Sequence, residues 1–504
     1  MPKEKYFIGI DIGTFSSKGV IINNRGEIIT SCQTSHGMEN PKQNYFEHDA
    51  EKVWWYDFCK ISTDLLNKSK IDKTKIAGVG ASTLGSDCLP VNKECKPLRK
   101  AILYGIDARC QAEIDEITQM YGNEKIQELF GRPVCSGDVA AKILWIKNNE
   151  PEIHKNTYKF LTGSSYITAK LTDNYVIDSF LGTASFRPLY YTDGNINNEL
   201  CKNFCLPEQL AQGKIVTEIA GYITLKAEAE TGIPAGIPVI TGTGDSAAEA
   251  ISVGVLEAGD MMIQLGSSVF IYLCTEHLIK DKRIRGNNFL VPETYSIAAG
   301  TNNCGTLLNW YKEQIFDILT QEKDGRNAFE FLMDDIDKIP PGSDGLVTLP
   351  YFAGERTPIN NPKAKGLLFG LTLNHTKKHL YRSMLESIGY SIGQHIDIFK
   401  ENNLKLNKIM IAGGGTKNIQ WLQMIANIIN EPLYITKEAI GASYGDALMA
   451  GIGTGHFENF KYLKNIIKIE KILYPDINIH KKYKKYRKIY DKLYLKTKTL
   501  MQEI

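Results

Sequence analysis

No stretch of this sequence approaches the ~18 uninterrupted apolar residues that a membrane-spanning helix requires. The opening MPKEKYFIGID is broken by Asp11 and Gly13 before it could serve as a secretory signal. Charge of one sign is also lacking: 59 Lys and Arg face 57 Asp and Glu, a formal net charge of +2. That balance argues against a strong general attraction to nucleic acid or acidic membranes. None of the ten cysteines (Cys32, Cys59, Cys88, Cys95, Cys110, Cys135, Cys201, Cys205, Cys274 and Cys304) falls in a CxxC pair, so neither a zinc site nor a dithiol redox motif is signalled. Scattered through a long chain, they read as buried thiols of a reducing cytoplasm. The nine histidines form no HExxH or similar cluster, which argues against a metal held by imidazoles. A GxxxxGKS/T segment is missing too, so a nucleotide would not sit in a Walker loop.

What is present is an ordinary globular composition, 43% hydrophobic and 23% charged, in 504 residues. That length exceeds what one hydrophobic core normally serves, and two domains of roughly 200–250 residues are expected. Apolar β-branched runs alternate with helical patterns, the signature of an α/β fold. Expected strands include YFIGID, GVIIN, KIAGVGAS, IPVITGTG, MMIQLG, SVFIYLC, GLVTLPYF and KIMIAGGG; expected helices include DAEKVWWYDFCKISTDLLNKS, DVAAKILWIKNNEPEIHKN, TKKHLYRSMLESIGYSIGQHIDIFKENN and NIQWLQMIANIIN. In the third of these, Leu380, Met384, Ile388 and Ile392 recur along one helical face. No Pro/Ser-rich linker divides the chain, so the two domains should pack closely around a cleft.

One internal echo stands out. IDIGTFSSKGVII, from Ile10, and IQLGSSVFIYL, from Ile263, are both strand, glycine with small hydroxyl residues, strand, placed about half the chain apart. Glycine at such a bend permits close approach of another group, and the hydroxyls and backbone N–H groups can receive an anion. A duplicated phosphate-holding device follows from the pair better than from either alone. A third stretch, GIPVITGTGDSAAEAISVGV, runs a strand through Gly242, Thr243 and Gly244 into Asp245, which opens a helix. Asp245 reads either as a simple helix cap or as a carboxylate projected into a cleft at the C-terminal end of a strand. In KIMIAGGGTKNIQWLQMIANIIN, Gly413, Gly414 and Gly415 would let the backbone touch a flat ligand such as an adenine ring. Gly242 to Ala247 also fits a loose GxGxxG/A dinucleotide fingerprint, but Asp260 precedes the next strand where an acid should follow it. These signals together describe an enzyme binding a phosphorylated nucleotide between two related domains.

The ordered set GIDIGTFSSK, TGTGDSAAEAISVG, IQLGSSV, YFAGERTPINNPKAKGLLFGL and IAGGGTKNIQWLQMIAN resembles the FGGY carbohydrate kinases, and within them the xylulokinase-like branch. The likeness runs from about Tyr6 to Gly453 and takes in FEHDAEKVWW, LRKAILYGIDARC and AAKILWIKNNEPEI. It implies two actin-like, ribonuclease-H-like domains around a central cleft. We expect residues 1–248 to carry the sugar and phosphates, and 249–504 the adenosine and a basic, tyrosine-rich C-terminal helix.

By that resemblance Asp245 is the catalytic base, and Asp11, with Asp245, is the acid at a Mg²⁺ ion. Gly13, Thr14, Ser16, Ser17 and Lys18 serve the ATP phosphates, as do Gly266, Ser267 and Ser268. Gly414, Gly415 and Asn418 line the adenosine pocket. The sugar would meet Thr83, Leu84, Asp87, Asp245 and Ser246. Here the sequence departs from the family, because typical xylulokinases carry Gln-Met-His-Gly-Ala where this chain has Ser82-Thr83-Leu84-Gly85-Ser86. The imidazole becomes leucine, and a carboxylate, Asp87, stands just beyond. Glu355 and Arg356 of GERTP border the cleft or pair structurally; Asp107 and Arg109 lie near the sugar or brace a loop; Trp54 and Trp55 read as core. Tyr483, Tyr486, Tyr490 and Leu493 at helical spacing read as the docked face of a surface helix, not a nucleic-acid site.

The expectation is therefore a cytoplasmic ATP- and Mg²⁺-dependent kinase of a ketopentose, D-xylulose first, with no nucleic-acid or membrane partner and with a homodimer left open. Its rivals are a kinase of another ketose or polyol, an actin-like or chaperone-like ATPase, and a dinucleotide dehydrogenase.

Overall fold

The computed structural model of the chain describes residues 4–316, 328–438 and 440–504. Two seven-stranded mixed sheets dominate it. In the first, β1 (Tyr6–Ile12) pairs antiparallel with β2 (Ser16–Asn23), and β2 pairs antiparallel with β3 (Ile28–Ser35). On its other side β1 runs parallel to β4 (Ile76–Thr83). β5 (Ile219–Tyr222) and β6 (Pro238–Ile240) complete the row, and the short β7 (Thr243–Gly244) also pairs with β4.

The second sheet repeats this plan. β8 (Asp260–Leu265) pairs antiparallel with β9 (Val269–Thr275); β10 (Arg285–Asn288) and β11 (Tyr295–Thr301) extend that side. On the other side β8 runs parallel to β12 (Lys408–Ala412), followed by β13 (Leu433–Thr436) and β14 (Ile469–Leu473). The two glycine–hydroxyl segments are thus equivalent hairpins, each beside a parallel strand from later in its half. The central strands read as unbroken apolar runs because both their faces are covered.

Six helices matter for the site: α1 (Tyr56–Ser69), α2 (Asp245–Ser252), α3 (Lys377–Glu401), α4 (Ile419–Ile429), α5 (Ala442–Gly453) and α6 (Ile477–Thr497). Met384, Ile388 and Ile392 of α3 are buried, as their spacing requires. On α6, Tyr483, Tyr490 and Leu493 are buried while Lys481, Lys482, Lys484 and Lys485 face solvent. GLVTLPYF yields only the short strand Val347–Leu349, paired with Leu367–Phe369; Pro350 follows at once and cannot donate to a ladder.

The hydrophobic core divides into two clusters, but not along the chain at 248 and 249. That expected division falls inside α2. Ala442, Tyr444, Ala447, Leu448 and Met449 of α5, late in the sequence, belong to the cluster under the first sheet. Two glycines permit this: a Cβ on Gly9 would lie 2.0 Å from the Ser443 carbonyl oxygen, and one on Gly445 would lie 2.0 Å from that of Ala248. Helix α5 therefore rests on β1 and α2 at backbone distance. Among the described residues, no helix is long and apolar enough to cross a membrane.

Candidate active site

β1 delivers Asp11 to its open end, where the register sets it beside Lys18 of β2 and Ser82 of β4. β7 leads directly into α2, whose first residue is Asp245. Gly244 occupies the cap position without a side-chain hydrogen bond, so the aspartate is not the cap of its helix. Its Oδ1 instead accepts from the Ser246 backbone N–H at 2.6 Å. Asp245 is half-buried. Burial pushes its carboxyl up to about 6, against the Ser246 hydrogen bond.

Two further acids join this pair that the sequence reading missed. Glu249 lies one turn along α2 from Asp245 and is hydrogen-bonded by the Gln264 side chain of β8. Burial and then the Asp245 charge push Glu249 up to about 7, while Lys18 pulls it down. Asp446 of α5 is fully buried, with its Oδ2 at hydrogen-bond distance, 2.6 Å, from the Ser82 hydroxyl oxygen. Asp11 is raised well above the usual carboxylate range by burial, then by Asp245 and Glu249; Ser82 and Lys18 oppose the shift. Glu249 had a visible signal, an acid four positions after Asp245 in an alanine-rich helix. Asp446 had none locally, because its partner lies 364 residues away.

Crowded carboxylates with Lys18 as their main counter-charge suit a divalent cation that also binds phosphate. No group of three or more His, Cys, Asp or Glu among the described residues forms a cage of its own. Magnesium held largely by water and phosphate oxygens needs one or two carboxylates, and Asp11 with Asp245 meets that requirement.

The first hairpin closes through the Gly13 N–H donating to the Ser16 carbonyl at 3.0 Å. The Thr14 hydroxyl lies 3.3 Å from the Tyr104 hydroxyl. Ser16 and Lys18 are half-buried on one face of β2, but Ser17 points the other way and is fully buried. Its hydroxyl donates to Asp57 of α1 at 2.7 Å, and His36 joins the same carboxylate at 2.8 Å. Of the expected phosphate donors, Ser17 is thus committed elsewhere. Successive strand residues face opposite sides, so Ser16 and Ser17 cannot both serve one ligand.

The second hairpin closes in the same way, Gly266 N–H to the Ser268 carbonyl at 3.0 Å. Gly266 and Ser267 line a cavity of about 750 Å³, together with Gly414, Gly415 and Asn418. Ser268 is not on that wall, nor are the residues of the first hairpin or Asp245. The link between cavity and acids is Gln264, two residues before Gly266 and bonded to Glu249. Gly415 cannot be larger: a Cβ there would lie 2.5 Å from that of Leu265. Asn418 caps α4 by accepting from the Trp421 N–H at 3.0 Å, leaving its amide nitrogen for the cavity.

The altered sugar loop turns inward. Thr83, Leu84 and Asp87 are buried, whereas Gly85, Ser86 and Ser246 are part-exposed. Direct side-chain contact of a substrate with Thr83, Leu84 or Asp87 is therefore not offered in this conformation. Burial raises Asp87 well above the usual carboxylate range, with Lys142 countering and Asp245 adding to the shift. Lys142, itself buried, donates to the Ser86 carbonyl at 2.7 Å and so supports the exposed part of the loop from beneath.

The remaining candidates are structural. Arg109 grips Asp107 through Nε and Nη2 (2.9 and 2.7 Å) and reaches Glu47 at 2.8 Å, bracing the loop. Trp54 and Trp55 are core; Trp55 also donates to Glu230 at 2.6 Å. In GERTP, buried Glu355 accepts from the Asn302 and Arg356 backbone N–H groups, and the Arg356 guanidinium donates to the Thr301 carbonyl at 2.8 Å.

Comparison with known proteins places this geometry. The family model of the FGGY carbohydrate kinase N-terminal domain matches residues 6–252, and that of the C-terminal domain matches residues 261–454. A xylulose kinase of Staphylococcus xylosus is 30% identical over 496 residues, covering 97% of this chain and 99% of that protein. The crystal structure of xylulose kinase from Rhodospirillum rubrum superposes with a TM-score of 0.90 at 23% identity, covering 99% of this chain and 100% of the other. That of gluconate kinase from Lactobacillus acidophilus gives 0.87 at 23% identity, covering 98% of each. The duplicated hairpins and opposed acids thus sit in a two-domain actin-like frame shared end to end with sugar kinases. With both domain models met in order, the chain belongs to the FGGY family of carbohydrate kinases.

Proposed function

We propose that this carbohydrate kinase transfers the γ-phosphoryl group of ATP to a hydroxyl of a ketopentose, D-xylulose being the first candidate. The observation that carries the reading is Asp245, a half-buried acid held outside its own helix cap, whose charge acts on Asp11 at the foot of a phosphate-type hairpin. The choice of D-xylulose is supported by the xylulose kinases among its relatives; the gluconate kinase that shares its fold makes a sugar acid the competitor to test.

In this reading Asp245 accepts the proton of the sugar hydroxyl as that oxygen attacks the γ-phosphorus and the bond to the β-phosphate oxygen breaks. Thr14, Ser16 and Lys18 of the first hairpin, with Gly13 at its bend, hold the phosphates from one side; Gly266, Ser267 and Ser268 hold them from the other. Gly414, Gly415 and Asn418 take the adenosine. Asp11, with Asp245, holds the Mg²⁺, which supplies charge neutralisation on the triphosphate. Ser246 and the exposed Gly85 and Ser86 meet the sugar, while Thr83, Leu84 and Asp87 shape the loop from behind. We place the division between the two domains after α2, between residues 252 and 261, and place the protein in the cytoplasm.

The test is a coupled ADP-release assay over pentuloses, hexuloses, glycerol, other polyols and gluconate. D-Xylulose or a related ketose is expected to give the highest kcat/KM. No acceptor raising ADP release above the basal ATPase rate overturns the kinase assignment; gluconate as the best acceptor overturns the ketose assignment alone.

A further inference from the structure

Ser82, near the end of β4, stands between two carboxyl groups. Its Oγ is 2.6 Å from Asp446 Oδ2 and 3.2 Å from Asp11 Oδ1. A serine hydroxyl owns one proton and donates to one acceptor at a time. With both acids ionised, one of these contacts would set oxygen lone pairs against each other with no hydrogen between. The arrangement is satisfied when the proton belongs to Asp446: its O–H donates to Ser82 Oγ, and the serine proton goes to Asp11.

The surroundings of Asp446 agree with that state. It is fully buried on α5, and its Oδ1 has no hydrogen-bond partner among the described residues. An anion so placed would lack water around a charged, unpaired oxygen, whereas a neutral acid leaves only a single carbonyl oxygen unpaired. Burial drives the Asp446 carboxyl well above the usual range.

We propose that Asp446 is a positioning residue that acts as a neutral hydrogen-bond donor: through Ser82 it fixes the orientation of the Asp11 carboxylate from the other half of the chain. The inference rests on the proposed role of Asp11 at the magnesium–triphosphate. It explains why an acid occupies a buried stretch, SYGDALMA, at the place where α5 meets β4. It also makes the aim of Asp11 depend on the seating of α5, since the donor rides on that helix.

The test uses the full chain and the variants Asp446→Asn, Asp446→Leu and Ser82→Ala. Calorimetry reads the Mg²⁺ dependence of ADP binding, and the sugar assay reads the Mg²⁺ concentration for half-maximal kcat. An asparagine amide still donates to Ser82, so Asp446→Asn should keep the wild-type Mg²⁺ requirement. Asp446→Leu and Ser82→Ala should raise it about tenfold or more, the usual cost of losing the support behind a metal ligand. Asp446→Asn failing as badly as Asp446→Leu overturns the proposal, because the negative charge would then be what matters. A Mg²⁺ requirement unmoved in Ser82→Ala overturns it too, even if Asp446→Leu proves too unstable to purify. The ADP titration needs no acceptor, so it judges the relay separately from the sugar panel.

Discussion

Replacing Asp245 with asparagine should separate catalysis from folding in opposite directions. The amide is isosteric, its oxygen can keep the 2.6 Å hydrogen bond from the Ser246 N–H, and Gly244 rather than Asp245 caps the helix. What disappears is the proton acceptor, and general-base contributions of this kind are worth roughly 10²–10⁴-fold in kcat. Stability should move the other way. The wild-type carboxyl is raised from 3.8 to about 6 by burial. Between those values the unfolded chain has released a proton that the folded chain retains, so wild-type stability falls as pH rises through the window. At roughly 1.4 kcal/mol per unit, the full shift corresponds to about 3 kcal/mol as an upper bound, reduced by the partial exposure of the residue. Asparagine carries no such penalty. Its melting temperature should match wild type near pH 4, exceed it by pH 6.5, and keep that gap at higher pH. The assays are sugar-dependent ADP release at saturating substrates, calorimetric ADP binding, and thermal melts across that pH range. A kcat within tenfold of wild type would refute the role of Asp245; a variant less stable than wild type at pH 7 would refute the burial argument.

Glu249→Gln removes a like charge from beside Asp11 and Asp245 and keeps a side chain that can bond Gln264. The acidic limb of the kcat/KM profile should therefore shift to lower pH, while the alkaline plateau stays within a few-fold; an unmoved limb counts against electrostatic coupling. Ser17→Ala abandons a buried hydrogen bond to Asp57, so denaturant melts should show a loss of about 1–3 kcal/mol. The KM for ATP should be unchanged in that variant, and a rise in KM with no loss of stability would return Ser17 to the phosphate site.

Much of this arrangement is legible in the sequence, and the reasons are local. A β-branched run ending in Asp11-Ile-Gly13, and another ending in Gly244-Asp245, each describe a strand that must stop and expose a polar group. Both the hairpins and the helix after the triple glycine follow from such short-range pattern. Ser17 was misread although the rule against it was at hand: strand side chains alternate, and Lys18 already fixed which face looked outward. Glu249 was overlooked in an alanine-rich helix where spacing alone marked it. The burial of Asp87 has no local signal, and the groups that act on its charge, Lys142 and the Tyr104 backbone, arrive from separate elements. Asp446 was beyond reach altogether, since its meaning comes from Ser82, 364 positions away, which local periodicity does not register.

The seating of residues 442–453 has a consequence for how the chain is made. Their apolar side chains fill the core beneath the first sheet, yet they are synthesised long after its strands. A nascent chain carrying only its first 250 residues would present an uncovered sheet face to the solvent. Ribosome-bound folding of that half would therefore wait until this segment has been made, and a fragment ending before it would need a chaperone or a separately supplied helix to remain dispersed.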